Sequence, residues 1–151
     1  MFKTPPPASS WSRCGSLWQC PGCGKLYPRA GQGHSCCVVS LEDHFRSRPR
    51  ARQLFDAFRG AVEEVGGPVR LSIAKTRIGL ITRLTFSAVM PRKDYLRAHI
   101  LLRRRVPSQR FIRIDDGPPY WVHHFEVRDE ADLDDELRTW LREAYRVGTG
   151  R

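Results

Sequence analysis

The sequence contains no run of 18 apolar residues, which excludes a membrane-spanning helix. Its opening stretch, Met1 to Ser10, has three consecutive prolines and no apolar centre, so it does not read as a secretory signal. No segment repeats. Lysine is scarce, with 4 Lys against 22 Arg. Acid is almost missing from the middle of the chain: residues 66–113 carry twelve basic side chains, and Asp94 is their sole acid.

What is present fits one ordinary domain with a short appendage: 151 residues, 40% of them apolar, with a net charge of +10. Residues 1–65 hold nine basic and five acidic side chains, and residues 114–151 hold five and ten. The middle is therefore a concentrated positive region followed by an acidic tail. Such a region reads as a surface for nucleic acid or another polyanion. An Arg-rich composition spread over ordinary solvated faces is the other reading. Five cysteines is an odd number, and four lie between Cys20 and Cys37. That pattern indicates metal binding in a reducing compartment rather than a disulfide frame, so the expected location is cytoplasmic. Cys14 lies outside ligand spacing and reads as a free thiol.

Cys20-Pro-Gly-Cys23-Gly is a knuckle. Pro21 and Gly22 form the turn, and Gly24 can take the positive φ that brings two sulfurs to one point. Zn²⁺ binds four N or S ligands tetrahedrally, so the knuckle supplies half a site and a second pair must return. His34-Ser-Cys36 is that return. Its spacing is short, and Cys37 is an alternative to Cys36. With all four positions filled by protein, the zinc would be structural. The competing reading is two unrelated reduced cysteines and a surface His.

Residues 1–17 read as a disordered extension, 18–40 as a zinc-finger-like module covered by Trp18, Leu26 and Tyr27, and 41–148 as the main domain. Ser40 with Asp43 reads as a short capped turn with Leu41 and Phe45 facing inward. From Arg50 to Val65 the stripe Leu54, Phe58, Ala61, Val62, Val65 predicts a helix ended by Gly66-Gly67-Pro68. The period then changes to two. Val69, Leu71 and Ile73 alternate with polar neighbours. After a Lys75-Thr76-Arg77 corner, Leu84, Phe86, Ala88 and Met90 face inward, as do Leu96, Ala98, Ile100 and Leu102. Further strands run around Phe111 to Ile114 and from Tyr120 to Val127. Asp132 to Tyr145 is a second helix, buried through Leu133, Leu137, Trp140, Leu141 and Ala144 and stopped by Gly148. The fold class expected is α+β: a two-layer domain, an antiparallel sheet of about five strands with helices on one face, preceded by a small zinc module.

The combination Cys20-Pro-Gly-Cys-Gly-Lys-Leu-Tyr, Gln32-Gly-His-Ser-Cys, Leu41-Glu-Asp-His-Phe, Lys75-Thr-Arg-Ile, Val122-His-His-Phe and Leu133-Asp-Asp-Glu-Leu resembles a bacterial domain-of-unknown-function family, the one numbered 5655. The resemblance covers about residues 18–148 and implies the same fold and the zinc ligand set Cys20, Cys23, His34 and Cys36. It implies no catalytic residues. Distant relatives are labelled predicted transport proteins, a description that the absence of a membrane segment does not support.

The sheet face away from the helices should present Arg70, Ser72, Arg83, Thr85, Ser87, Tyr95, Arg97, His99, Tyr120, His124 and Glu126, a basic surface with two Tyr able to stack on bases. Lys75, Thr76 and Arg77 at a strand end could hold a small anion. His123 should be a hydrogen-bonded core histidine. His124 and His99 could pair in acid–base work. No nucleophile stands beside a base. The expectation is a non-catalytic zinc-containing binding protein with nucleic acid or another polyanion as partner. The alternative is a small-molecule anion-binding domain, or an enzyme, that uses Lys75, Arg77, His99 and His124. A protein-interaction surface around Trp11, Trp18 and Tyr27 is a third possibility.

Overall fold

The computed structural model describes residues 17–22, 24, 26–33 and 39–150. The chain divides into two compact units between Val38 and Val39. In the first, β1 (Trp18–Gln19) and β2 (Leu26–Tyr27) form an antiparallel ribbon, with Trp18 opposite Tyr27 and Gln19 opposite Leu26. The Trp18 and Tyr27 ring centroids lie 6.3 Å apart.

The second unit opens with α1 (Leu41–Phe45). A reciprocal capping box starts it: the Ser40 hydroxyl accepts from the Asp43 amide, and the Asp43 carboxylate accepts from the Ser40 amide. Helix α2 (Pro49–Val65) begins on a proline, which a first turn tolerates because that N–H has no helical partner. It buries Ala51, Leu54, Phe55, Phe58, Ala61 and Val62 on one stripe.

Six antiparallel strands follow: β3 (Arg70–Ile73), β4 (Ile78–Ile81), β5 (Thr85–Pro91), β6 (Leu96–Leu102), β7 (Arg113–Asp115) and β8 (Trp121–Val127). Their spatial order is β3-β4-β5-β6-β8-β7. Helix α3 (Asp135–Thr149) closes the chain after a turn of 3-10 helix over Glu130–Asp132. Asp134 caps α3 by accepting from the Leu137 amide at 3.0 Å. Helices α2 and α3 pack on each other and on β5 and β6, enclosing one core.

The fold is the expected α+β class, with corrections. The sheet has six strands, not about five. The missed strand is Ile78-Gly-Leu-Ile, which is buried almost throughout and broken by a glycine, so it shows no alternation to read. The inward phase of β5 also differs from expectation. Register places Ser87 and Val89 on the helix face with Ile100 and Ala98, and it puts Ala88 and Met90 on the outer face with His99 and Arg97. The cause is a bulge. The step from Leu80 to Ile81 on β4 spans the two steps from Ser87 to Thr85 on β5, and the extra residue, Phe86, turns into the core.

Gly148 does not stop the last helix. It lies inside α3, and Gly150, at φ 83°, is the left-handed cap. At Gly148 the helix meets the β4–β5 connection, whose Arg83 and Leu84 amides both donate to the Gly148 carbonyl, at 3.1 and 3.0 Å. A methyl group there would overlap the Phe86 ring and the Thr82 hydroxyl. We expect Gly148→Ala to cost about 1–3 kcal/mol by overpacking, read as a lower urea midpoint with unchanged slope. An unchanged midpoint would show that this approach carries no constraint.

Candidate functional site

In the first unit, Cys20 is buried and its carbonyl accepts from the Gly24 amide at 2.7 Å. Gly24 has φ 75°, the left-handed geometry a knuckle requires. The turn at Pro21-Gly22 therefore lies in the connection from β1 to β2. Cys23, His34, Cys36 and Cys37 lie outside the described residues, as do Cys14 and Trp11. Among the described residues no group of three His, Cys, Asp or Glu could hold a metal.

In the second unit the acidic tail folds back onto the basic middle. Arg97 pairs with Glu126 at 3.6 Å, Arg104 with Glu143 at 2.9 Å and Arg105 with Asp116 at 2.9 Å. Arg110 meets Asp134 at 2.6 Å and Glu136 at 3.4 Å, and Arg113 meets Asp115 at 2.9 Å. Such exposed pairs contribute little stability one by one. Their effect is on the field, because they neutralise five of the twelve cations that make the middle of the sequence look so basic.

Of the seven cations left, Arg70, Arg83 and Arg103 lie at one end of the sheet, while four gather at the other end, beside the acid Asp94. Two narrow hairpins lie there. One is closed by the Ala74 amide on the Arg77 carbonyl, and the other by the Arg92 amide on the Tyr95 carbonyl, both at 2.9 Å. They carry Lys75, Arg77, Arg92 and Lys93, which have no ion-pair partner among the described residues; Lys75, Thr76 and Arg77 are exposed. Helix α1 and the connection that follows it clamp both hairpins. Buried His44 donates from Nε2 to the Ala74 carbonyl at 2.7 Å, and Arg48 Nη1 reaches the His44 carbonyl at 3.1 Å and the Pro91 carbonyl at 3.3 Å. Ser47 makes the reversal with φ 63°. The sequence reading overlooked His44 and Arg48, whose partners are main-chain carbonyls that leave no side-chain pattern.

The outer sheet face carries Arg97, His99, His124 and Glu126, as expected. Ser87, expected there, is buried on the helix side and donates to the His99 carbonyl at 2.8 Å. Arg83 lies in the β4–β5 connection rather than on a strand. Tyr95 has the Arg128 guanidinium 4.0 Å over its ring, so that aromatic face is already occupied. Tyr120 precedes β8 at the end of the sheet away from Lys75 and Arg77, and is not brought together with them.

His99 and His124 are direct cross-strand partners with ring centroids 5.3 Å apart. His124 Nε2 donates to Asp115 Oδ2 at 2.9 Å, and Arg113 grips the same carboxylate. Those two hydrogen bonds, from His124 first and Arg113 second, hold the Asp115 carboxyl below its ordinary pKa. His99 Nδ1 is buried with no hydrogen-bond partner. Burial above all, then the charge of His124, lowers the His99 pKa from the ordinary 6.5 to about 4. His123 is the core histidine the alternation predicts. It is fully buried, donating from Nδ1 to the Trp121 carbonyl and accepting at Nε2 from the Val106 amide, both at 3.0 Å, and burial lowers its pKa.

A six-stranded antiparallel sheet backed by two helices, with a histidine pair on its open face, defines a small α+β domain. The chain belongs to the family described as Domain of unknown function (DUF5655), whose model matches residues 41–148. The β1–β2 ribbon lies before the matched segment. No curated protein and no solved structure matches the chain. Among the described residues no helix is long and apolar enough to cross a membrane.

The His99 shift has a signed consequence. The unfolded chain takes up this proton near pH 6.5 and the folded chain only near 4. Between these values the unfolded state binds more protons, so the contribution is full above 6.5 and drains away as pH falls, by at most about 3 kcal/mol. Urea denaturation across this range should show the decline, and His99→Gln should flatten it. An equal decline in the variant would rule His99 out as its source.

Proposed function

We propose that this protein is a non-catalytic, zinc-containing binding protein of a reducing, cytoplasmic setting, and that its partner is a polyanion, nucleic acid first among them. The observation that carries the reading is the pair of clamped hairpins. Lys75, Arg77, Arg92 and Lys93 project from one end of the sheet with no ion pair among the described residues, while five other cations of the same region are neutralised. Phosphates of a nucleic-acid backbone would bind there by displacing counterions, without base readout. The occupied face of Tyr95 favours contact with the backbone over stacking of bases.

The zinc would be structural, held by Cys20, Cys23, His34 and Cys36, or by Cys37 in place of Cys36. Support comes from the chemistry of the donor set and from the local geometry: a buried Cys20, a left-handed Gly24, and a turn set between paired strands. Such a metal would fix a small unit that has little core of its own.

Binding of a labelled oligonucleotide, read by mobility shift, should weaken roughly 100-fold for a fourfold rise in salt if four phosphates are engaged. Combined Lys75→Glu, Arg92→Glu and Lys93→Glu changes should weaken it for all sequences alike and flatten the salt dependence. Absence of binding at low salt would refute the reading. Metal analysis should find one zinc per chain, lost in Cys23→Ser; equal metal content in the variant would refute the ligand assignment.

A further inference from the structure

On the outer sheet face, β-sheet register builds a transverse row that runs Gly79, Ala88, His99, His124, Arg113 across five neighbouring strands. We propose that the His99–His124 end of this row, with Arg77, is a binding site for a small oxyanion of the phosphate or sulfate class, and that binding is coupled to uptake of a proton by His99.

The first support is an unmet hydrogen bond. His99 Nδ1 is buried and unpartnered, and the row continues on β5 and β4 as Ala88 and then Gly79, neither of which has a polar side chain. A buried polar atom left without a partner destabilises the fold, and a ligand oxygen is one way to supply the missing bond. A protonated imidazole donates from both nitrogens, so an anion that accepts from Nδ1 favours the charged ring.

The second support is the sign of the surroundings. The groups facing His99 are His124 on β8, Arg113 and Asp115 on β7, and Arg77 beside the β3–β4 hairpin; the facing residue of β5 is Ala88. Two acids share this face: Asp115, already held by both His124 and Arg113, and Glu126 in the next row, already held by Arg97 and Arg128. Arg77 has no ion pair among the described residues. The same positive surroundings that oppose a proton on His99 in the empty site would welcome an anion, and with the anion present they no longer oppose the proton. Arg77 and Arg113 together disfavour the competing occupant of a histidine pair, a divalent cation.

Sulfate is the appropriate probe, since it carries no proton of its own near neutral pH. The imidazole resonances of the full chain are followed by NMR during a sulfate titration at constant ionic strength. The His99 and His124 signals should shift saturably, and the apparent His99 pKa should rise from about 4 by about one unit or more, so that affinity increases as pH falls, by up to about tenfold per unit between the bound and the free values. His99→Gln should abolish the saturable shift at His124. Arg77→Gln should weaken it while the melting temperature stays near that of the parent chain. Two results would overturn the proposal: no saturable shift at either histidine at tens of millimolar sulfate, or a shift that survives His99→Gln unchanged. Oligonucleotide binding through Lys75, Arg92 and Lys93 is separable, because it should persist in His99→Gln.

Discussion

Seven residues of β6 pair with seven of β8, and the parity of that register decides what every neighbouring strand can show to each side. Leu96, Ala98, Ile100 and Leu102 turn toward the helices together with His123, Phe125 and Val127. The alternate positions bring Arg97 to Glu126 and His99 to His124. A slip of one residue would move the whole apolar set into water and put two histidines and an ion pair into the core, so the hydrophobic demand of α2 and α3 fixes the histidine row. His123 marks the limit of that rule. It is a polar side chain on the buried side, tolerated because both ring nitrogens are satisfied.

The distribution of charge along the chain and its distribution in space are different things. In sequence, a basic middle precedes an acidic tail; in the fold, Glu126, Asp134, Glu136 and Glu143 return to Arg97, Arg110 and Arg104. Of the cations left without an ion pair among the described residues, four are grouped on two hairpins, and Arg70, Arg83 and Arg103 are spread over the other end of the sheet. The mean field of the domain is thus a poor guide to where an anion would settle, and the local geometry of the turns is a better one.

Much of this architecture was legible in the residues. The stripe Leu54, Phe58, Ala61, Val62 announces α2, and strict alternation announces β6 and β8, because each element is half-buried and its period is not interrupted. Ile78–Ile81 was not legible, since burial on both sides erases alternation. The reversed phase of β5 arises from a bulge, which depends on the partner strand and has no local signature. Gly148 looked like a terminator because glycine often is one; here the lack of a side chain serves close packing on Phe86. At the candidate site, the meeting of His99 with His124 follows from correct strand periods, whereas the roles of His44 and Arg48 rest on carbonyls brought near by the tertiary fold.

The clamp from α1 to both hairpins has a metric meaning. The two tips are separated by two strand spacings, about 10 Å, and His44 and Arg48 tie each to the same rigid corner of the domain. The cations thus stand at the marks of a ruler rather than on independent arms. A ligand with charges at a matching interval would meet them without ordering either loop, while one with a different interval would have to bend itself, since the corner cannot yield without breaking the bonds to Ala74 and Pro91.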